Sequence, residues 1–137
     1  MYNRQGCRRG PTFRESILMH AVARIVLYGR VHNIQASWTK MGKSGLRECL
    51  KAGVNDVGGT LMNESISRAA GNKNGQELPP EEMDALIEHA GRIPQQRTTK
   101  YGKPDRYRSS ISYNAPVLRP LPQQSGKIRE SDLITHV

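Results

Sequence analysis

The run Asn55-Asp56-Val57-Gly58-Gly59-Thr60, followed closely by Asn63, Glu64 and Arg68, gathers two carboxylates, a guanidinium and several amide and hydroxyl groups. Polar groups in or just after an apolar segment cost burial free energy unless they find partners or face a polar cavity. The adjacent glycines let another group approach the backbone. The same run also fits a tight turn in which Asp56 caps a neighbouring amide. Gln35, Ser37, Trp38 and Lys40 hold the corresponding place after an earlier apolar segment. Gly42-Lys43-Ser44 has the ending of a phosphate-binding loop, but that signature needs glycine five positions before Gly42, where this chain has Ser37, so an ordinary loop leading into a helix is expected. His20, His32, His89 and His136 form no i, i+4 pair, and Cys7 and Cys49 are too few and too far apart for a disulfide framework or a thiolate site. No metal site is expected.

The elements that must position these residues follow from periodicity. A helix over residues 13–28 is announced by Thr12 and Glu15, a capping box. Its stripe of Phe13, Ile17, Leu18, Ala21, Val22, Ile25 and Val26 predicts one buried face, with Gly29 as the stop. Residues 31–38 read as a strand and residues 44–52 as a helix carrying Leu46, Cys49 and Leu50 inward; residues 54–59 read as a second buried strand. Residues 60–71 suggest a short helical turn with Met62, Ile66 and Ala69 inward, and residues 71–77 a surface turn. The next helix opens at Pro79 and Pro80, carries Glu81 and Glu82 at its positive end and closes at Gly91. Met83, Leu86, Ile87 and Ala90 form its inner face. Beyond Pro94 periodicity fades, and residues 103–137 are expected to be an irregular or disordered basic tail. The fold class is therefore α/β, in an αβαβα order with too few strands to close a sheet. A (β/α)₈ barrel needs about 250 residues, so 137 residues in this order fit the final quarter to third of a larger domain.

The net charge of +9 is unevenly spread. Residues 1–30 hold six basic residues and one acidic, residues 94–137 eight and three, while residues 31–93 hold seven and eight. A nucleic-acid-binding domain needs a basic face on its folded body, with aromatics for stacking. Here aromatics make up 5% of the chain, and three of the five tyrosines (Tyr101, Tyr107, Tyr113) lie late in it. Solvated basic ends are the expectation, and nucleic acid is not an expected partner. The longest apolar-rich stretch, residues 17–28, contains His20 and Arg24, so no membrane span of about 20 residues is expected. No apolar stretch of a secretory signal follows Arg8 and Arg9. A cytoplasmic location is expected, with an organellar matrix as the alternative because the first 14 residues carry four Arg and no acid.

The order of several motifs resembles the FO synthase family, specifically the C-terminal part of its 5-amino-6-(D-ribitylamino)uracil–L-tyrosine 4-hydroxyphenyl transferase component. The matching runs are Gly10-Pro11-Thr12-Phe13-Arg14-Glu15, Met19-His20-Ala21-Val22-Ala23-Arg24 and Asn33-Ile34-Gln35-Ala36-Ser37-Trp38 with Lys40 and Gly42. They continue through residues 52–71, through Gln76-Glu77-Leu78-Pro79, and through residues 91–102. The resemblance covers residues 9–102 and implies the C-terminal βα units of a radical SAM barrel of the TIM type. It also implies a [4Fe–4S] cluster and S-adenosyl-L-methionine as cofactors, with L-tyrosine and 5-amino-6-(D-ribitylamino)uracil as substrates. In that family a 5′-deoxyadenosyl radical takes hydrogen from tyrosine, whose side chain joins the uracil on the way to FO, the deazaflavin precursor of coenzyme F420.

The departures matter as much. The family's cluster motif, C-x₃-C-x₂-C, lies near its N-terminus, and with only Cys7 and Cys49 this chain lacks the cluster ligands. Residues 1–8 also diverge from the family. The expectation is a C-terminal fragment of the transferase, an incomplete barrel inactive by itself. The substrate-binding candidates are Gln35, Ser37, Trp38, Lys40, Asn55, Asp56, Gly58, Gly59, Thr60, Asn63, Glu64 and Arg68; no catalytic role is assigned to any one of them. Two alternatives are a small basic nucleic-acid-binding protein on an old enzyme scaffold, and a non-catalytic partner completing a split barrel whose remainder another chain carries.

Overall fold

The computed structural model describes residues 10–60, 65–69 and 72–120. Among the described residues five helices follow one another: α1 (Phe13–Val26), α2 (Trp38–Lys51), α3 (Ile66–Ala69), α4 (Pro80–His89) and α5 (Arg106–Tyr113).

α1 starts where its capping box places it. The Glu15 backbone N–H donates to the Thr12 hydroxyl at 3.2 Å, and the Thr12 N–H donates to the Glu15 carboxylate at 2.7 Å. Its packing departs from expectation, because no residue of α1 is buried. Ile17 leans on the core and the Phe13 ring lies against Gly45 of α2, where a Cβ would come within 2.8 Å of it. Leu18, Met19, Val22, Ile25 and Val26 remain exposed, Ile25 at 75%. The stripe is wider than α2 can cover.

α2 begins six residues before the expected helix and takes in Trp38, which the pattern places at a strand end. The gain is burial. Trp38 is 2% exposed, and its indole N–H donates to the Gly59 carbonyl at 2.9 Å. Gly42 breaks the helix with φ of 68°, so the Gly42-Lys43-Ser44 run sits within a kinked helix and not on a loop. At the break the Asn72 and Asn74 carboxamides donate to the Thr39 carbonyl, the latter at 2.9 Å. A Cβ on Gly42 would lie 2.9 Å from the Asn74 carboxamide oxygen, so both φ and space select glycine.

The two expected strands are corrected. Among the described residues no β-strand forms, so the α/β class is not met there and the described fold is helical; a single parallel bridge joins Gln35 to Asp56. The Ala36 N–H donates to the Asp56 carbonyl at 2.9 Å, and the Asp56 N–H to the Ile34 carbonyl at 3.2 Å. The ladder stops there for a physical reason. The Asn55 side chain takes the next positions, accepting from the Ile34 N–H at 2.9 Å and donating to the His32 carbonyl at 3.1 Å. Two parallel segments with no third neighbour also lack the cooperativity of a sheet.

The core is correspondingly small. Leu46, Cys49 and Leu50 of α2 meet Ala36, Val54, Val57, Leu78 and Met83 around Trp38. α4 behaves as its pattern predicts, with Met83 buried and Leu86, Ile87 and Ala90 packed on the core. On α3, Ile66 is 83% exposed, contrary to the inward placement expected of it; Met62 lies outside the described residues.

The expectation of an irregular tail is also corrected within residues 103–120, where α5 forms. Asp105 caps it by accepting from the Tyr107 N–H at 2.6 Å, a local signal that survives weak apolar periodicity. The Tyr113 hydroxyl donates to Asp84 of α4 at 2.5 Å, and the Leu118 N–H donates to Glu77 at 2.8 Å, tying this region to the body. Among the described residues no helix is long and apolar enough to cross a membrane.

Candidate functional site

The parallel bridge sets the C-terminal ends of residues 33–36 and 54–57 side by side, and a cleft of about 820 Å³ opens there. Its lining includes Gln35, residues 54–60, one side of α4 and residues 91–97. Asp56 is its electrostatic centre. The carboxylate is buried and accepts from the Gly58 N–H at 2.9 Å, the Arg97 guanidinium at 2.5 Å and the Tyr101 hydroxyl at 2.9 Å. The Arg97 guanidinium lies over the Tyr101 ring, 4.3 Å from its centroid, a cation–π contact. Burial alone would push the Asp56 carboxyl up, but these three hydrogen bonds and the Arg97 charge hold it below the usual carboxylate range. The bond to Asp56 in turn raises the Tyr101 phenol.

The segment that delivers Arg97 and Tyr101 is a tight turn. The Thr98 N–H donates to the Gly102 carbonyl at 2.9 Å, and the Gly102 N–H returns to the Thr98 hydroxyl at 3.0 Å. Tyr101 takes a positive φ of 60° there, which is uncommon for a residue other than glycine. The Asp56 contacts repay that conformation. An ionised carboxylate with three donors already bound is poorly placed to take a proton from a ligand; it is well placed to hold residues 97–101 against the cleft.

The other sequence candidates divide. Gln35, Asn55, Asp56, Gly58, Gly59 and Thr60 line the cleft. Asn55 is nevertheless occupied by the fold, since its carboxamide oxygen also accepts from Arg24 of α1 at 2.7 Å. Arg24 donates as well to the Gly53 carbonyl at 2.7 Å, stitching α1 to the second extended segment. Ser37 pairs with the Thr39 hydroxyl at 2.8 Å, Trp38 belongs to the core, and Lys40 is exposed on α2 away from the cleft. Arg68 is half-buried on α3 and does not line the cleft. Asn63 and Glu64 lie outside the described residues. Arg97, Tyr101 and Gln95 were not singled out by sequence reasoning. The available signal was the need of a buried Asp56 for a cation.

The residues do not fit an iron–sulfur cluster. The chain has two cysteines, and Cys49 is buried in the core with its thiol pushed up by burial and by the neighbouring Glu48 charge. Among the described residues no group of three or more His, Cys, Asp or Glu is arranged to hold a metal ion.

The sequence that builds this cleft has a counterpart among known families. The profile described as the CofH/MqnC C-terminal region matches residues 2–110, and the chain belongs to that family. It is 47% identical over 106 residues to the FO synthase of Nocardia farcinica, a match covering 77% of this chain and 12% of that protein. It is 50% identical over 93 residues to the 5-amino-6-(D-ribitylamino)uracil--L-tyrosine 4-hydroxyphenyl transferase of Archaeoglobus fulgidus, covering 68% of this chain and 27% of that one. Against the corresponding transferase 1 of Methanosarcina barkeri the identity is 51% over 87 residues, with 64% and 23% covered. The chain thus spans about an eighth to a quarter of the length of these relatives. No solved structure matches it.

Proposed function

We propose that this chain forms the C-terminal wall of the substrate cavity in a tyrosine 4-hydroxyphenyl transferase of FO biosynthesis, as the last βα units of a radical SAM barrel of the TIM type. The observation that carries this reading is the parallel bridge between Gln35 and Asp56, because it turns the ends of both extended segments toward one cleft. Ligands of parallel α/β folds bind at the C-terminal ends of their strands. The substrates are those in the relatives' names, L-tyrosine and 5-amino-6-(D-ribitylamino)uracil. A [4Fe–4S] cluster with S-adenosyl-L-methionine, held by the remainder of the barrel, supplies the radical chemistry. The residues of this chain bind, orient and exclude water.

The remainder of the barrel is also the partner. α1 offers an apolar face that a parallel neighbour would cover. Among the described residues no further segment pairs with the outer edges of residues 33–36 and 54–57, and such open edges invite a neighbouring strand. On this reading the chain is inactive by itself. The test is substitution within a complete transferase that carries this sequence at its C-terminus. Asp56→Ala together with Glu64→Ala is expected to lower turnover at least tenfold, and normal turnover would refute the cavity-wall assignment.

A further inference from the structure

Among the described residues the charged groups lining the cleft are already engaged. Arg97 is bound to Asp56 and to the Thr98 carbonyl, and Arg92 turns to the Leu50 carbonyl at 3.4 Å. Asp84 accepts from Tyr113, and no lysine lines the cleft among the described residues. Neutral groups remain open instead. The carboxamides of Gln35 and Gln95 and the hydroxyls of Thr60 and Thr99 face the same cleft, and none of the four has a hydrogen-bond partner among the described residues. The exposed Gln35 side chain lies close over Gly58. Its amide nitrogen lies where a Cβ on Gly58 would come within 2.8 Å, so the glycine makes room for it.

Resting on the cavity-wall reading, we infer that Gln35 and Gln95 form a subsite for a neutral imide ring, and that this wall takes the aminouracil and not the amino acid. A uracil presents a ring N–H flanked by two carbonyls. A primary amide can meet half of that edge with one donor and one acceptor, as Gln and Asn do with adenine. The zwitterion of L-tyrosine needs an uncommitted cation for its carboxylate and an anion for its ammonium. Among the described residues this wall spends its cations and anions on itself.

The test is a titration of the full chain, with its helical circular dichroism intact, using 5-amino-6-(D-ribitylamino)uracil, its N3-methylated analogue and L-tyrosine. The aminouracil is expected to bind, with affinity falling about tenfold in Gln35→Leu and in Gln95→Leu. Both residues are exposed and their amides have no partner among the described residues, so these changes leave folding intact. The N3-methylated compound should bind about tenfold more weakly to the parent chain and lose less in the variants. Aminouracil binding indifferent to both substitutions, or binding of L-tyrosine alone, would overturn the subsite while leaving the cavity-wall reading in place. Binding of neither compound to the helical chain would overturn the subsite, whereas the cavity-wall reading stands or falls on the substitutions in the complete transferase.

Discussion

Replacing Asp56 by Asn keeps the shape of the side chain and removes its charge, which isolates what the carboxylate does for residues 97–101. Its side chain is 4% exposed and that of Arg97 is 29% exposed, so the pair is shielded on one side only. Hydrogen bonds to a charged acceptor exceed neutral ones by roughly 1 kcal/mol each. The Gly58 bond is local to the cleft and does not hold that segment; counting the Arg97 donor alone, and giving it no more because water reaches it, Asn costs this anchorage about 1 kcal/mol. Tyr101 is left out of the sum because its hydroxyl can be rehydrated. The turn at residues 98–102 should then open about fivefold more often, at 1.36 kcal/mol for each factor of ten. Limited trypsin digestion reads this directly, since cleavage follows the open population when closing is fast. Mass spectrometry should show the initial rate of cleavage after Arg97 rising about fivefold in Asp56→Asn, while cleavage after Arg14 stays unchanged. Equal rates after Arg97 in the two proteins would refute the role given to the carboxylate.

Three further outcomes follow. Because the folded Asp56 carboxyl lies below its ordinary value, the contribution of its charge is complete above the unfolded value of about 3.9 and is lost as pH falls through the folded one. The Gly58 amide resonance should titrate with a midpoint below that unfolded value, and a midpoint above it would contradict the assignment. Gly58→Ala imposes φ of 76° on a residue with a Cβ and crowds the Gln35 amide, so a local cost of about 1–2 kcal/mol is expected; unchanged Gln35 side-chain resonances would refute the packing. The isolated chain should bind an apolar-surface dye through α1, and Ile25→Glu with Val22→Glu should reduce the signal by more than half, whereas an unchanged signal would place the open apolar surface elsewhere.

What was legible in the sequence was local. The Thr12–Glu15 box and the proline-led start of α4 specify their helices through contacts within a few residues, and both helices form as read. The strands were legible as apolar segments but not as absent ladders, since a strand exists only with its neighbours and Asn55 diverts the bonds that remain. Trp38 was misplaced because burial of the indole against Gly59, a long-range matter, extends α2 backward. At the site, Asp56 was legible as a polar group in an apolar run. Its partners lie 41 and 45 residues away on a turn without periodicity, so no spacing rule connects them.

The most direct measurement mixes this chain with a separately produced polypeptide carrying the upstream part of a 4-hydroxyphenyl transferase, cluster loaded, and follows coupling of L-tyrosine to the aminouracil by mass spectrometry. A cavity-wall role predicts stable association through α1 and product only when both chains are present. Product from this chain alone, or no association with the upstream part, would contradict it.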